Sequence, residues 1–241
     1  MLKIGHRGAK AYALENTLSS VQKALEMGVD MVELDIRITK DNQPVIIHSS
    51  QLKRLTQKFG RVSKLTLAEL KKLKVKEIET IPTLGEVLEA VKNQIGLNLE
   101  LKVKGGAQIV VQTLRDHKAD MAKVMVSSNY PSEIKTVEQL EPIITTALIF
   151  RATNAFSFWF VSDFLALLFL PITKYYIAWL VKNSNADYLS IYHRLLGRRK
   201  VALLKKQGIK ICAWTVNNQR KIDYLKSLGV DGIITNYPDR L

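Results

Sequence analysis

Two carboxylates and an imidazole lie close together in the stretch from Met31 to His48. Glu33 and Asp35 occupy alternate positions in a run whose intervening residues are apolar. A β-strand over this run would project both carboxylates from one face. Turn-forming residues follow, and a second extended run ends at His48. The stretch is therefore predicted to form a hairpin.

The register of this hairpin decides which side chains meet. If Asp41 and Asn42 form a two-residue turn, counting outward places His48 opposite Asp35. Charged groups held so close repel one another and lose hydration unless a cation or another partner compensates them. The cluster is therefore predicted to bind a cation or to take part in catalysis.

A third carboxylate, Glu100, lies on the next strongly alternating run along the chain. Together with Glu33 and Asp35 it offers the oxygen ligands that a hard divalent cation prefers, which suggests one Mg²⁺ or Ca²⁺ ion. Each residue taken alone fits an ordinary solvated strand position. The set does not, because the inside of a small barrel is normally filled by apolar layers.

Cations and imidazoles occur at the same predicted strand ends. Arg7 and Lys102 are suited to binding a phosphate in the same pocket. His6 and His48 are two of four histidines, and imidazoles beside a phosphate can act as acid and base near neutral pH.

The elements that must position these residues alternate along the chain. Besides the hairpin, strands are predicted over residues 3–8, 97–103, 123–127, 144–150, 187–192, 210–216 and 230–236, with helices between them. Eight such strands predict an α/β fold, a single-domain (β/α)8 TIM barrel over residues 1–241, with an extra hairpin arm after strand 2. An open doubly wound sheet is the alternative, but no Gly-x-Gly-x-x-Gly follows a strand.

Charge and cysteine content restrict the partners and the compartment. The chain has 36 Lys and Arg against 22 Asp and Glu, a formal charge of +14. This excess favours an anionic partner such as a phosphorylated substrate or an anionic membrane surface, or it simply solvates helix faces. Nucleic acid is not expected, because basic and aromatic residues are not interleaved. The single cysteine and the lack of a signal-like N-terminus predict a cytoplasmic protein, with attachment to the inner face of the membrane as a variant.

A long apolar connection separates the fifth and sixth predicted strands. Asp163, Pro171 and Lys174 interrupt residues 155–181, so a transmembrane helix is not expected. The segment either contributes the fifth outer helix alone or also forms an apolar lid or membrane-docking helix over Phe156 to Leu170.

Short motifs follow one another in a fixed order along nearly the whole chain, outside residues 152–182. They are His6-Arg7-Gly8, Glu15-Asn16-Thr17, Glu33-Leu34-Asp35 with His48, Leu65-Thr66-Leu67-Ala68-Glu69-Leu70, Ile81-Pro82-Thr83-Leu84, Asn98-Leu99-Glu100-Leu101-Lys102, Ala213-Trp214-Thr215-Val216-Asn217 and the closing run Gly229 to Pro238. In order and spacing these motifs resemble those of the glycerophosphodiester phosphodiesterases.

The resemblance implies a metal-dependent phosphodiesterase that hydrolyses glycerophosphodiesters, or lysophospholipids, to a glycerol phosphate and an alcohol. It implies one Mg²⁺ or Ca²⁺ ion on Glu33, Asp35 and Glu100, acid and base roles for His6 and His48, phosphate binding by Arg7 and Lys102, and a pocket lined by Trp214. Trp214 is equally well explained as a core aromatic of the barrel.

One position departs from the family pattern. The family usually has an aspartate directly after the second histidine, and this chain has Ser49. A catalytically weakened barrel that binds phospholipid or phosphate is therefore the alternative function.

Overall fold

The computed structural model describes residues 1–56, 59–76, 78–150 and 170–241. The predicted lid or docking segment, Phe156 to Leu170, lies outside these ranges except for its last residue.

Eight parallel strands close into a ring. The strands of the described chain are β1 Leu2–His6, β2 Met31–Ile38, β3 Pro44–Ile46, β4 Lys74–Val75, β5 Glu79–Thr80, β6 Gly96–Leu101, β7 Val124–Ser128, β8 Thr145–Phe150, β9 Tyr188–Tyr192, β10 Lys210–Trp214 and β11 Gly232–Thr235. The ring runs β1-β2-β6-β7-β8-β9-β10-β11 and closes because β1 pairs with both β2 and β11. The predicted barrel is confirmed, and an open sheet is excluded.

Helices surround the ring as expected for this architecture. They are α1 Leu18–Glu26, α2 Lys53–Thr56, α3 Leu67–Lys71, α4 Leu84–Val91, α5 Ala107–Asp116, α6 Pro131–Leu140, α7 Leu170–Ser184, α8 Arg198–Lys206 and α9 Gln219–Ser227. Helices α3 and α4 begin directly after Thr66 and Thr83, and each threonine forms a capping box with the glutamate three residues later. No helix of the described chain is both long and apolar enough to cross a membrane.

Alternation along each strand separates two apolar layers. Val32, Leu34 and Ile36 of β2 belong to the cluster between ring and helices, where burying such a side chain stabilises the fold by about 1.5–3 kcal/mol. Met31, which has the opposite parity, packs inside the ring in a small apolar cluster with Ile4 and others. This cluster fills the end of the ring where the strands begin, so the polar residues that follow it on the same face lie at the opposite end, the mouth.

The hairpin forms outside the ring, but its predicted register is wrong. β3 pairs antiparallel with β2 and matches Ile36 with Ile46. Ile47 donates its N–H to the carbonyl of Asp35 at 2.8 Å. Ile47, not His48, therefore lies opposite Asp35.

The turn itself explains the difference of one residue. Thr39 rather than Lys40 pairs with Gln43, with the Thr39 N–H on the Gln43 carbonyl at 3.0 Å. Three residues are left in the loop, and the last of them, Asn42, adopts φ +58°. Asparagine tolerates this left-handed conformation, which a three-residue hairpin loop requires.

Candidate active site

Three carboxylates meet at the mouth of the barrel. Glu33 and Asp35 alternate along the inner face of β2 and are only 3% and 1% exposed. β6 lies beside β2 with Glu100 in register with Asp35. One oxygen from each of the three carboxylates lies within 4.8 Å of the others. The structure therefore brings together the three residues predicted to bind a cation.

Glu33 has one oxygen with a partner and one without. Its Oε2 accepts the backbone N–H of Arg7 at 2.9 Å, whereas Oε1 is buried with no hydrogen-bond partner among the described residues. Burial, followed by the charges of Asp35 and Glu100, raises the pKa of Glu33 well above its usual range. A buried oxygen left without a donor among other carboxylates fits a hard divalent cation.

Asp35 is surrounded by donors. Its carboxylate contacts Lys102 Nζ at 2.8 Å and Arg7 Nε at 3.1 Å, and it accepts a hydrogen bond from Asn16 Nδ2 at 2.8 Å. Burial alone would raise the pKa of Asp35, but Lys102 and Arg7 outweigh it and hold this pKa below its usual range. Asp35 is therefore ionised at neutral pH. Lys102 Nζ also contacts Glu100.

A tight turn after β1 delivers Arg7. This residue adopts φ +53°, and the following Gly8 has φ +86°. A Cβ on Gly8 would lie 2.3 Å from Ser20 Oγ on α1, so only glycine fits there. The guanidinium then donates through Nη1 to Glu15 at 2.7 Å, which fixes it beside the carboxylates.

His6 is held by a residue from the far end of the chain. Its Nδ1 lies 2.6 Å from Asn236 Oδ1. Because that oxygen accepts, we assign the proton to Nδ1, which leaves Nε2 as the acceptor, 3.9 Å from Glu33 Oε2. Burial and then the charge of Arg7 lower the pKa of His6 to about 4, so the imidazole is neutral at pH 7.

His48 lies just beyond β3, near enough to the carboxylate cluster for the charges of Asp35, Arg7 and Lys102 to act on it. Burial lowers its pKa to about 4, although the charge of Asp35 opposes this shift. Its carbonyl accepts a hydrogen bond from Arg37 Nε at 2.9 Å. The hydroxyl of Ser49 accepts the N–H of Gln51 at 3.1 Å and so belongs to a local turn.

Trp214 is the last residue of β10, on the side of the ring away from β2 and β6. Its ring centroid lies 5.5 Å from that of Tyr192 on β9. It also packs against the apolar cluster inside the ring. Both predicted roles, pocket wall and core aromatic, fit this position.

Four further residues hold the site and were not among the predicted site residues. Glu15, Asn16 and Asn236 hold Arg7, Asp35 and His6, as described above. All three lie inside the quoted motifs, so the motifs were the available signal. Arg37 continues the alternation of Glu33 and Asp35 by one step, and the same period-two pattern could have placed it at the mouth.

The chain is similar to known proteins over nearly its whole length. The model of the Glycerophosphoryl diester phosphodiesterase family matches residues 6–240. The Bacillus subtilis protein YhdW is 36% identical over 250 residues, which cover 99% of this chain and 96% of that protein. Lysophospholipase D GDPD1 of Homo sapiens is 28% identical over 267 residues, covering 99% of this chain and 84% of that protein.

A solved structure shows the same architecture. The chain resembles an Oleispira antarctica phosphodiesterase, whose structure was determined in complex with the product sn-glycerol-3-phosphate. The TM-score is 0.82 with 28% identity, over 98% of this chain and 93% of the other.

Proposed function

The chain belongs to the glycerophosphoryl diester phosphodiesterase family, and we propose that the residues at the barrel mouth carry out that family's reaction. The protein is a phosphoric diester hydrolase that converts glycerophosphodiesters to a glycerol phosphate and an alcohol. The observation that carries the proposed site is the cluster of three carboxylates beside two imidazoles and two cations.

Glu33, Asp35 and Glu100 are the proposed ligands of the divalent cation on which the family depends. When bound, such an ion would polarise the phosphoryl oxygens and stabilise the charge that develops on them. Support comes from the buried Oε1 of Glu33, which has no donor among the described residues. We propose Mg²⁺ or Ca²⁺, because all three ligands supply oxygen.

His6 and His48 are the proposed acid and base. In the proposed reaction a hydroxyl of the substrate's glycerol loses its proton to one imidazole and attacks phosphorus. The other imidazole protonates the departing alcohol as its bond to phosphorus breaks, and water then opens the cyclic phosphate. His6 fits the base, because Asn236 leaves Nε2 free to accept a proton. A phosphate anion in the mouth would favour the protonated form of the acid.

Arg7 and Lys102 are the proposed phosphate ligands. Both reach Asp35, from opposite oxygens of the same carboxylate, so both lie beside the carboxylate cluster. Arg7 stays charged there: burial opposes the charge, but Asp35, Glu33 and Glu15 raise the pKa of this guanidinium. Trp214, across the mouth, would line the pocket for the rest of the substrate.

Hydrolysis of a substrate panel tests this function. Glycerophosphocholine and a lysophosphatidylcholine would be incubated with Mg²⁺ or Ca²⁺, and product formation would be measured. We expect His6→Ala and His48→Ala each to lower kcat by about 10²–10⁴-fold. His117→Ala is the matched control, because His117 follows α5 at the opposite end of the barrel, and it should keep full activity. No turnover of any diester with either ion would refute the proposal.

The same panel decides between catalysis and the alternative, a weakened barrel that only binds phospholipid or phosphate. Ser49 motivates the alternative, since its hydroxyl supplies a turn rather than a carboxylate beside His48. We expect turnover, because the three carboxylates, His6, Arg7 and Lys102 lie together at the mouth and the charge of Asp35 acts on His48. The two substrates also report whether an acyl chain is accepted.

We further propose a cytoplasmic protein, a single domain over residues 1–241, whose macromolecular partner is an anionic membrane surface rather than nucleic acid. The formal charge of +14 supports an anionic partner. The single cysteine, which is buried, fits a reducing compartment.

A further inference from the structure

The connections that follow β9 and β10 carry a group of cations at the barrel mouth. They are Arg194, Arg198, Arg199, Lys200, Arg220 and Lys221, here called the basic rim. The first lies in the single turn that follows β9, and the others occupy the first turns of α8 and α9. Because both helices begin where strands of the ring end, the whole group lies at the end of the barrel that holds the candidate site.

The basic rim has no carboxylates to neutralise it. Within the described ranges, none of its six side chains lies within 4.0 Å of a carboxylate oxygen. Two acids of the neighbouring described segments have other partners: Asp223 accepts from Gln219, and Asp239 accepts from Tyr12. Arg194, Arg198 and Arg199 are exposed. Their charge is therefore directed to solvent.

The cations occupy positions where a helix favours acids. The first turn of a helix presents free N–H groups and the positive end of the dipole, so cations there are unfavourable. Three other helices follow this rule, with Glu69 in the first turn of α3, Glu86 in that of α4 and Glu133 in that of α6, whereas the first turns of α1, α2 and α5 hold no acid. α8 instead begins with three cations and has no side-chain cap at Gly197. A break of a local rule without local compensation is typical of a functional surface.

The two connections form one surface. β9 and β10 are neighbours in the ring, and Tyr192 at the end of β9 is in register with Trp214 at the end of β10, so the two connections begin side by side. After burial, the charges of Lys221 and Arg194, one from each connection, lower the pKa of His193. Tyr224, which is 38% exposed, lies beneath Lys221 with Nζ 4.6 Å from the ring centroid. An exposed tyrosine among cations suits a lipid interface, where one end of the ring is apolar and the other wet.

We propose that the basic rim docks the protein on an anionic phospholipid surface, with the barrel mouth turned toward the lipid. This inference rests on the membrane partner proposed above and names the surface that binds it. Glycerophosphodiesters are phospholipids without their acyl chains. Docking would therefore hold the mouth at the surface where deacylation of phospholipids releases them. Cations near a membrane are attracted to anionic lipid within about one Debye length, so only those on the docked face contribute.

Vesicle binding with matched variants tests whether the basic rim docks the protein on anionic lipid. Binding to phosphatidylcholine vesicles is compared with binding to vesicles containing about one third phosphatidylglycerol, at an ionic strength of about 0.1 M. The rim variant is Arg194→Gln, Arg198→Gln and Arg199→Gln. The control variant is Lys92→Gln, Lys118→Gln and Lys206→Gln, which removes the same charge from exposed positions at the other end of the barrel. Thermal unfolding shows that each variant is folded.

We expect binding to the anionic vesicles only, weakened roughly 100-fold in the rim variant and little changed in the control. Equal losses in both variants, an unchanged rim variant, or no binding by the unsubstituted protein would each overturn the proposal. So would tighter binding to a DNA duplex that the rim variant abolishes. If the triple variant does not fold, Arg194→Gln and Arg198→Gln are measured singly, with about fivefold expected for each.

Hydrolysis of water-soluble glycerophosphocholine without vesicles measures the activity independently of docking. We expect both variants to keep this hydrolytic activity. Rim-dependent vesicle binding without any hydrolysis refutes the proposed reaction but supports docking through the basic rim. Hydrolysis without vesicle binding refutes the docking proposal alone.

Discussion

Replacing Glu33 with glutamine should have opposite effects on the protein with and without its cation. In the cation-free protein the Glu33 carboxylate is buried, faces Asp35 and Glu100, and leaves Oε1 without a donor among the described residues. A buried polar group without a partner costs about 1–3 kcal/mol, and more when charged. Glu33→Gln removes the charge and puts an N–H donor near the other carboxylates, while its oxygen can still accept from Arg7.

We therefore expect Glu33→Gln to raise the free energy of unfolding by about 1–3 kcal/mol at pH 7 in the presence of a chelator. In a chain of this length the melting temperature rises by about 2–4 °C for each kcal/mol. The gain depends on pH with a definite sign. Because folding raises the pKa of Glu33, its ionisation favours the unfolded state above the ordinary carboxyl pKa, and the gain vanishes as the pH falls below that value.

With Mg²⁺ or Ca²⁺ the order should reverse. A ligand at 100 times its Kd stabilises the native state by about 2.7 kcal/mol, and the variant should lose most of this increment together with activity. Thermal unfolding in chelator and in each ion measures both effects.

Glu133→Gln is the matched control for Glu33→Gln. Glu133 is also buried, at 5% exposure, but its carboxylate accepts the N–H groups of Gly105, Gly106 and Ala107 at the start of α5. Its neutralisation should destabilise the protein with or without cation. If Glu33→Gln proves as destabilising in chelator as Glu133→Gln, the reasoning about an unsatisfied carboxylate is refuted.

Three further predictions concern single side chains. Asn16→Ala removes two hydrogen bonds with Asp35, one donated to its carboxylate and one accepted from its backbone N–H. Urea unfolding should show that the free energy of unfolding falls by about 2–4 kcal/mol, and a fall below about 1 kcal/mol would contradict this. Cys212 is buried and burial raises the pKa of its thiol to about 12, so a thiol reagent at pH 8 should modify it only after denaturation; rapid labelling of the native protein would contradict its burial. Thr83→Ala removes the N-cap of α4 and should cost about 1 kcal/mol in thermal unfolding, whereas Thr83→Ser should restore most of it.

Much of the fold could be predicted because its signals are local. Extended runs separated by helical segments predicted each ring strand to within a few residues, and alternation of apolar and polar residues marked β2 and β6. The same alternation predicted that Glu33 and Asp35 share a face, since side-chain direction in a strand follows from parity alone. These features depend on residues only a few positions apart.

The hairpin register could not be predicted from neighbouring residues alone. A two-residue turn at Asp41 and Asn42 was a sound choice from residue types. The folded loop is fixed from outside, because the Lys40 N–H donates to the carbonyl of Leu65 and Asp41 accepts the N–H of Leu67. These partners lie more than twenty residues away, and they select the three-residue loop.

By itself, the sequence determined the alternating elements, the inward-facing carboxylates and, through motif order, the family. Only the tertiary structure decided which groups meet. Asn236 reaches His6 across 230 positions because β11 and β1 close the ring. Closure likewise leaves one oxygen of Glu33 without a donor among the described residues, while Asp35, two residues away, is paired with Lys102 and accepts a hydrogen bond from Asn16. Parity sets the direction of a side chain, but its partners and the pKa that follows from them depend on packing between distant segments.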